Sequence, residues 1–294
     1  MTASSTEARP AGPGPLADDL PSDGPLTRTP PTEAPSTGAP PLLGSYARQH
    51  RVFPALRIVA GPLPTGPGWV TTTALIAEES VRQELIAHDQ SLALADYGQL
   101  LRPDVAAGFC LHRYVWPAAL AFTLPWFLER RVPRLPAERV AIDRPGGGLA
   151  VHPAGFACLP DDPAARLPGA RVVPDEAALR AELRSALTEL LTPVLGAFRP
   201  AMRRGSRTLW GMATDDVIEG LWFLGGLLGE EERAAAEAAE LLPGPSERPF
   251  VGGAGFRRLT DGPAARTRTR VSCCLFYTVR PEETCLTCPR SCPE

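Results

Sequence analysis

The sequence predicts an α+β fold: a mostly helical domain with a small antiparallel sheet, ending in a cysteine-rich segment. Three observations predict it. Residues 175–198 and 206–228 repeat apolar side chains at helical spacing. Short apolar runs at 139–143, 148–152 and 156–159 are separated by Pro145-Gly146-Gly147 and Pro153-Ala154-Gly155, the pattern of an antiparallel meander. Five of the seven cysteines fall between 273 and 292.

Taken in order, residues 1–41 hold ten prolines among small, polar and acidic residues. With so little to bury, this stretch cannot offset its ordering entropy and reads as a disordered tail. A globular domain is expected over 42–250. Thr71–Thr73 can cap a helix reaching about residue 89, with Leu75, Ile76, Val81, Leu85 and Ile86 on its apolar side. The stretch 104–131 is apolar on most sides and predicts a buried central element broken near Pro117 and Pro125. The meander follows, then the clearest helix at 175–198, with Leu179, Leu183, Leu187, Leu190, Leu191, Val194 and Leu195 recurring every three or four residues. A helix at 206–228 carries Trp210 and Trp222, and an Ala/Glu-rich one at 230–242 stops at Pro243-Gly244. Residues 251–294 form the C-terminal segment.

The 294-residue chain is 44% hydrophobic, with a net charge of −3, so no basic field points to nucleic acid. All its basic residues are arginine, which excludes lysine chemistry such as a Schiff base or a Walker-type phosphate loop. No cationic stretch followed by an apolar core predicts a secretory leader. The best membrane candidate, 115–128, is short and interrupted by two prolines. A cytoplasmic protein is expected, with contact to the inner membrane surface left open. There, clustered cysteines point to metal ligation rather than to disulfides.

The cysteine pattern is Cys273-Cys274-x10-Cys285-x2-Cys288, with Cys292 beyond. Cys-x2-Cys is the spacing at which a tight turn presents two thiolates to one metal. Adjacent cysteines in an extended strand point to opposite faces, so both reach a single ion only with a kink. A [2Fe-2S] cluster relaxes that demand, because thiolates reach its two irons from different directions. The geometry therefore favours [2Fe-2S] held by Cys273, Cys274, Cys285 and Cys288 over a tetrahedral zinc site, with Cys292 as a bystander thiol. Cys110 and Cys158, on apolar stretches, read as buried small hydrophobes.

The run Arg270-Val271-Ser272-Cys273-Cys274-Leu275-Phe276-Tyr277, with Cys285-Leu286-Thr287-Cys288-Pro289, resembles the C-terminal signature of the FhuF-like ferric-siderophore reductases, x10 gap included. Leu209-Trp210-Gly211-Met212-Ala213 resembles that family's Trp-Gly-Asn-x-Ala stretch, with Met212 in place of asparagine. The resemblance implies a ferric-siderophore (ferric-chelate) reductase that releases Fe(II) by one-electron transfer. Its expected partners are a ferric siderophore and an external electron-donor protein or reductant.

Around this segment, Arg199, Arg203, Arg204 and Arg207, and Arg257, Arg258, Arg266, Arg268 and Arg270, read either as a solvated basic face or as cations that stabilise an anionic cluster or dock an anionic partner. Arg270 has the best claim to lie near the cysteines. Trp210 and Trp222 read as core. His50, His88, His112 and His152 lack ligand spacing and read as structural or exposed. Gly146-Gly147-Gly148 is no dinucleotide fingerprint, and no Ser-His-Asp or paired-carboxylate set stands out. Two alternatives stay open: a zinc-stapled interaction protein, and an iron–sulfur redox sensor or electron carrier. The roughly 200 globular residues ahead of the cysteines exceed what a plain carrier needs.

Overall fold

The computed structural model describes residues 41–244, 248–258, 266–283, 285 and 287–290. Residues 1–40 of the expected tail, and Cys292, lie outside them. Among the described residues, seven helices and small mixed sheets give an α+β architecture in which helix dominates.

The organising element is α4, Pro103–Glu129, a helix buried on nearly all sides. α1 (Leu43–Val52), α3 (Glu79–Tyr97), α5 (Glu176–Met202) and α6 (Ser206–Leu227) all pack against it. Such a helix has no polar face because none of its faces meets water. The expected break at Pro117 and Pro125 does not occur: the helix runs through both. Proline at i removes the donor for the carbonyl of i−4. For Pro125 that carbonyl is Ala121, and the buried Tyr46 hydroxyl of α1 donates to it at 2.7 Å. A neighbouring helix thus satisfies the group that proline orphans, and dense packing keeps the axis continuous.

The helix expected from 71 to 89 is two helices. Thr71 caps α2 (Thr72–Ala77), its Oγ1 accepting from the Ala74 N–H at 3.2 Å. Glu78 is extended, and α3 starts at Glu79. The break is stabilised by Arg82, which donates to the Leu75 and Ile76 carbonyls at 2.8 and 2.9 Å and so caps the end of α2. α5 begins on schedule, with Asp175 accepting from the Ala178 N–H at 2.8 Å, and buries every leucine of its predicted stripe. It runs four residues past Phe198, burying Met202. α6, and α7 (Glu231–Leu241), sit within a residue of their expected bounds.

The predicted meander is only half present. β4 (Val140–Asp143) and β5 (Gly148–Val151) form an antiparallel hairpin flanked by β2 (Trp69–Thr71) and, in parallel, β1 (Arg57–Ala60). Because β1 occupies the free edge of β5, β6 (Phe156–Cys158) cannot extend the hairpin. It pairs instead with β3 (Arg131–Pro133) and, in parallel, β7 (Ala170–Val172). β8 (Arg257–Arg258) and β9 (Arg266–Thr267) add a small ribbon leading to the cysteines. No helix is long and apolar enough to cross a membrane among the described residues.

The C-terminal segment is anchored on the helical core. Phe276 stacks edge-on against Tyr97 of α3 and tilts against Phe109 of α4, at centroid distances of 5.9 and 6.3 Å. The Gln99 amide donates to the Val279 carbonyl at 2.6 Å. Phe250 packs edge-on to Trp210 of α6 at 5.2 Å. Trp210 is core, as expected, and the half-buried Trp222 packs on Phe256 while donating to Glu231.

Candidate metal centre

Two close backbone approaches bring the cysteine segment onto α6. A Cβ on Gly211 would lie 3.3 Å from Val271 Cγ1, so glycine in the Trp-Gly stretch lets the helix touch the irregular segment that precedes Cys273. Gly252 closes the other side: its φ is +75°, and a Cβ there would sit 2.3 Å from Val271 Cγ2.

A buried acidic nest on α6 then holds the segment. Asp215, 0% exposed, accepts four hydrogen bonds: Val271 N–H and Arg268 Nη2 at 2.9 and 2.7 Å on Oδ1, and Ser272 N–H and Oγ, both at 2.9 Å, on Oδ2. That fills the lone pairs of a carboxylate. Arg268, also 0% exposed, donates to Glu219 at 2.9 Å and to the Ala254 carbonyl at 3.0 Å. Isolated buried charges would be prohibitive; here each faces an opposite charge. The nest also reaches the second cysteine pair. Thr287 Oγ1 donates to Glu219 at 2.8 Å, and the Arg270 N–H donates to the Thr287 carbonyl at 2.9 Å. Within that pair, the Cys288 N–H donates to the Cys285 carbonyl at 2.9 Å, the tight turn expected of Cys-x2-Cys.

The adjacent cysteines escape strand alternation because they do not lie in a strand: residues 268–275 are irregular, and the chain turns directly after them. Leu275, just after Cys274, takes the left-handed conformation (φ 66°), and a 3₁₀ turn follows at Phe276–Thr278. For a non-glycine residue this costs roughly 1–2 kcal/mol, so the surrounding packing must enforce it. The two half-sites meet. The Cys285 thiol donates to Cys274, which lowers the Cys274 pKa to about 6 and raises that of Cys285, with the Arg270 charge also favouring the Cys274 thiolate. Burial pushes the Cys273 thiol up, against the Leu275 N–H, and Cys288 lies within electrostatic reach of both Cys273 and Cys285. Cys288 is buried and the other three are half-buried. Among the described residues, no three His, Cys, Asp or Glu side chains converge closely enough to hold one metal ion.

Beside Cys274 lies a cavity of about 30 Å³, lined by Phe109, His112, Met212, Asp216, Arg270 and Cys274. That is room for about one water. Met212 makes this wall apolar. Arg270 is 8% exposed and its Nε has no hydrogen-bond acceptor; its carboxylate contacts are long, 3.5 Å to Asp216, 3.5 Å to Glu219 and 3.9 Å to Asp215. An under-satisfied buried guanidinium beside the Cys274 and Cys285 thiols suits an anionic group there. A four-thiolate iron–sulfur cluster is such a group, so the residues fit it.

The fit has a counterpart in known proteins. Residues 270–290 match the FhuF 2Fe-2S C-terminal domain. The C-terminal segment is therefore similar to a [2Fe-2S]-binding domain of the FhuF type, as the cysteine spacing led us to expect. The matched span takes in all four cysteines of the pattern and stops short of Cys292. No curated protein matches the chain.

Several residues around this FhuF-type domain escaped the sequence reading. Asp215, Asp216 and Glu219 were not singled out, although three acids on an otherwise apolar helix were a usable signal. His112, read as structural or exposed, lies at the cavity with Nδ1 2.7 Å from Asp216 Oδ1. Only the packing of α4 on α6 brings it there. Arg268 and Arg270 are not on a solvated basic face; they are buried among carboxylates. Arg204 reaches the site, its Nη1 donating to the Cys273 carbonyl at 3.3 Å, while Arg199, Arg203 and Arg207 stay exposed. Cys110 and Cys158 are buried, as expected, and burial raises both thiol pKa values.

Proposed function

We propose that this protein is a cytoplasmic ferric-siderophore reductase whose [2Fe-2S] cluster is held by Cys273, Cys274, Cys285 and Cys288. The observation that carries the reading is the Cys273-Cys274-x10-Cys285-x2-Cys288 pattern inside the stretch that matches a FhuF 2Fe-2S domain, on a segment that Asp215 and Glu219 hold against α6. Oxygen-donor chelators hold Fe(III) far more tightly than Fe(II), so adding one electron loosens the iron. When bound, the cluster supplies that electron, having taken it from an external one-electron donor, a protein or a small reductant. The balance is one electron in from the donor, one electron out to Fe(III), and Fe(II) leaving the chelate.

The residues of the chain have a positioning task. Asp215 fixes the backbone at 271 and 272, Glu219 fixes Thr287, and the left-handed residue Leu275 turns the chain directly after the adjacent cysteines. Phe109, Phe276 and Met212 keep the cavity beside Cys274 too small for a chelate, because ligand-sized pockets run to several hundred Å³. The ferric chelate therefore stays outside and receives its electron across the half-exposed face of the cysteine loop. No acid, base or nucleophile needs to reach the iron.

Anaerobically purified protein should hold two irons and two sulfides per chain. Its visible absorption should bleach on reduction, and a rhombic spin-resonance signal should appear. A colourless protein with one zinc per chain would replace this reading with the zinc-stapled alternative.

A further inference from the structure

We infer that Arg270 and Glu219 are an opposed pair of positioning residues that set the reduction potential of the centre, Arg270 raising it and Glu219 lowering it. The inference rests on the [2Fe-2S] reading and not on the identity of the electron acceptor. Arg270 is inside the protein, ringed by Asp215, Asp216 and Glu219, yet all its carboxylate contacts are 3.5 Å or longer and its Nε lacks an acceptor. Its backbone N–H holds Thr287, and its side chain lines the cavity that Cys274 also lines. The guanidinium thus sits between the acidic nest and the cysteines, committed fully to neither.

Charge inventory gives the sign. The nest sets three carboxylates, Asp215, Asp216 and Glu219, against two guanidiniums, Arg268 and Arg270, with the His112 ring also on Asp216. Asp215 is saturated, and Arg268 is bound on Asp215, Glu219 and the Ala254 carbonyl. Of the two guanidiniums in the nest, Arg270 is therefore the one that faces Cys274 and Cys285, while Arg204 and Arg290 lie on the Cys273 side. A four-thiolate cluster is anionic and gains one more negative charge on reduction, so a nearby cation favours the reduced form and a nearby anion opposes it. Glu219 is the carboxylate to test. It touches both Arg270 and Thr287, and it is more exposed than Asp215, so neutralising it is the milder change.

The test is a spin-resonance-monitored redox titration of the cluster-loaded protein, with iron and sulfide counted in every sample. Arg270→Gln should move the midpoint to more negative potential and Glu219→Gln to more positive potential. Arg270→Lys, which keeps the charge, should stay closer to wild type than Arg270→Gln. Opposite shifts are a signature that loosening of the fold alone would not give. If Arg270→Gln assembles no cluster, Glu219→Gln decides by itself: an upward shift supports the pairing, and an unmoved or lowered midpoint overturns it. Both variants moving the same way, or neither moving while the cluster stays intact, overturns it as well. A wild-type protein with no [2Fe-2S] spectrum would overturn the parent reading directly. An intact cluster that never reduces a ferric chelate would leave this result untouched.

Discussion

Replacing Asp215 with alanine should cost about 3–5 kcal/mol of folding stability, the penalty for leaving one partner of a buried ion pair. Several losses coincide there. Arg268, with a fully buried side chain, keeps only Glu219 and the Ala254 carbonyl. The Val271 N–H, the Ser272 N–H and the Ser272 hydroxyl lose their acceptor, and buried donors without partners cost about 1–3 kcal/mol each where water cannot reach them. These terms overlap, so their sum is an upper bound and the ion-pair figure is the working one. Asp215→Asn keeps one acceptor oxygen and should cost less. The assay is urea unfolding followed by circular dichroism, with iron content measured before the titration. A typical domain has about 5–15 kcal/mol to lose, so Asp215→Ala should unfold at far lower urea and bind iron poorly. A loss below about 1 kcal/mol, with full iron content, would refute the claim that this nest holds the cysteine loop.

Other consequences are independent of that one. Cys285→Ser should abolish the native cluster spectrum, whereas Cys292→Ser should leave it nearly unchanged; visible absorption checks both. Tyr46→Phe removes the donor to the Ala121 carbonyl that Pro125 frees, and should cost about 1–3 kcal/mol in urea unfolding. In cluster-free protein, the Cys274 pKa near 6 should make its alkylation rate level off above about pH 7, while ordinary thiols go on gaining rate toward their pKa near 8.5. Peptide mapping of the alkylated protein reads this, and a Cys274 rate still rising steeply at pH 8 would contradict it. The Cys274–Cys285 contact stabilises the fold most near the unfolded thiol pKa of about 8.5, because Cys285, raised by it, loses the gain at higher pH. The contribution is lost as pH falls through about 6.

Long regular periodicity was legible in the sequence and its interruptions were not. The leucine stripe of α5 predicted the helix and its burial, because one apolar face at helical spacing has only one way to be covered. Pro117 and Pro125 misled; at Pro125 the local rule that proline breaks helices ignores a tyrosine 79 residues away that supplies the missing donor to α4. The strand at 156–158 was legible as a strand, but its partners were not, since that depended on β1 taking the edge of β5. At the site, the cysteine spacing carries its own chemistry and could be read directly. The α6 carboxylates left a signal, three acids on a largely apolar helix, but their partners and the place of His112 come from tertiary packing, of α4 on α6 and of Val271 against Gly211 and Gly252, which no local pattern encodes.

The central claim, electron transfer from the C-terminal cluster to chelated Fe(III), is tested most directly by a single turnover. Protein reduced anaerobically and freed of reductant is mixed with a ferric siderophore in a stopped-flow spectrometer containing a ferrous-iron trap. The oxidised cluster spectrum should return as Fe(II) appears, one Fe(II) for each cluster. A cluster that stays reduced while the chelate stays ferric would contradict the account.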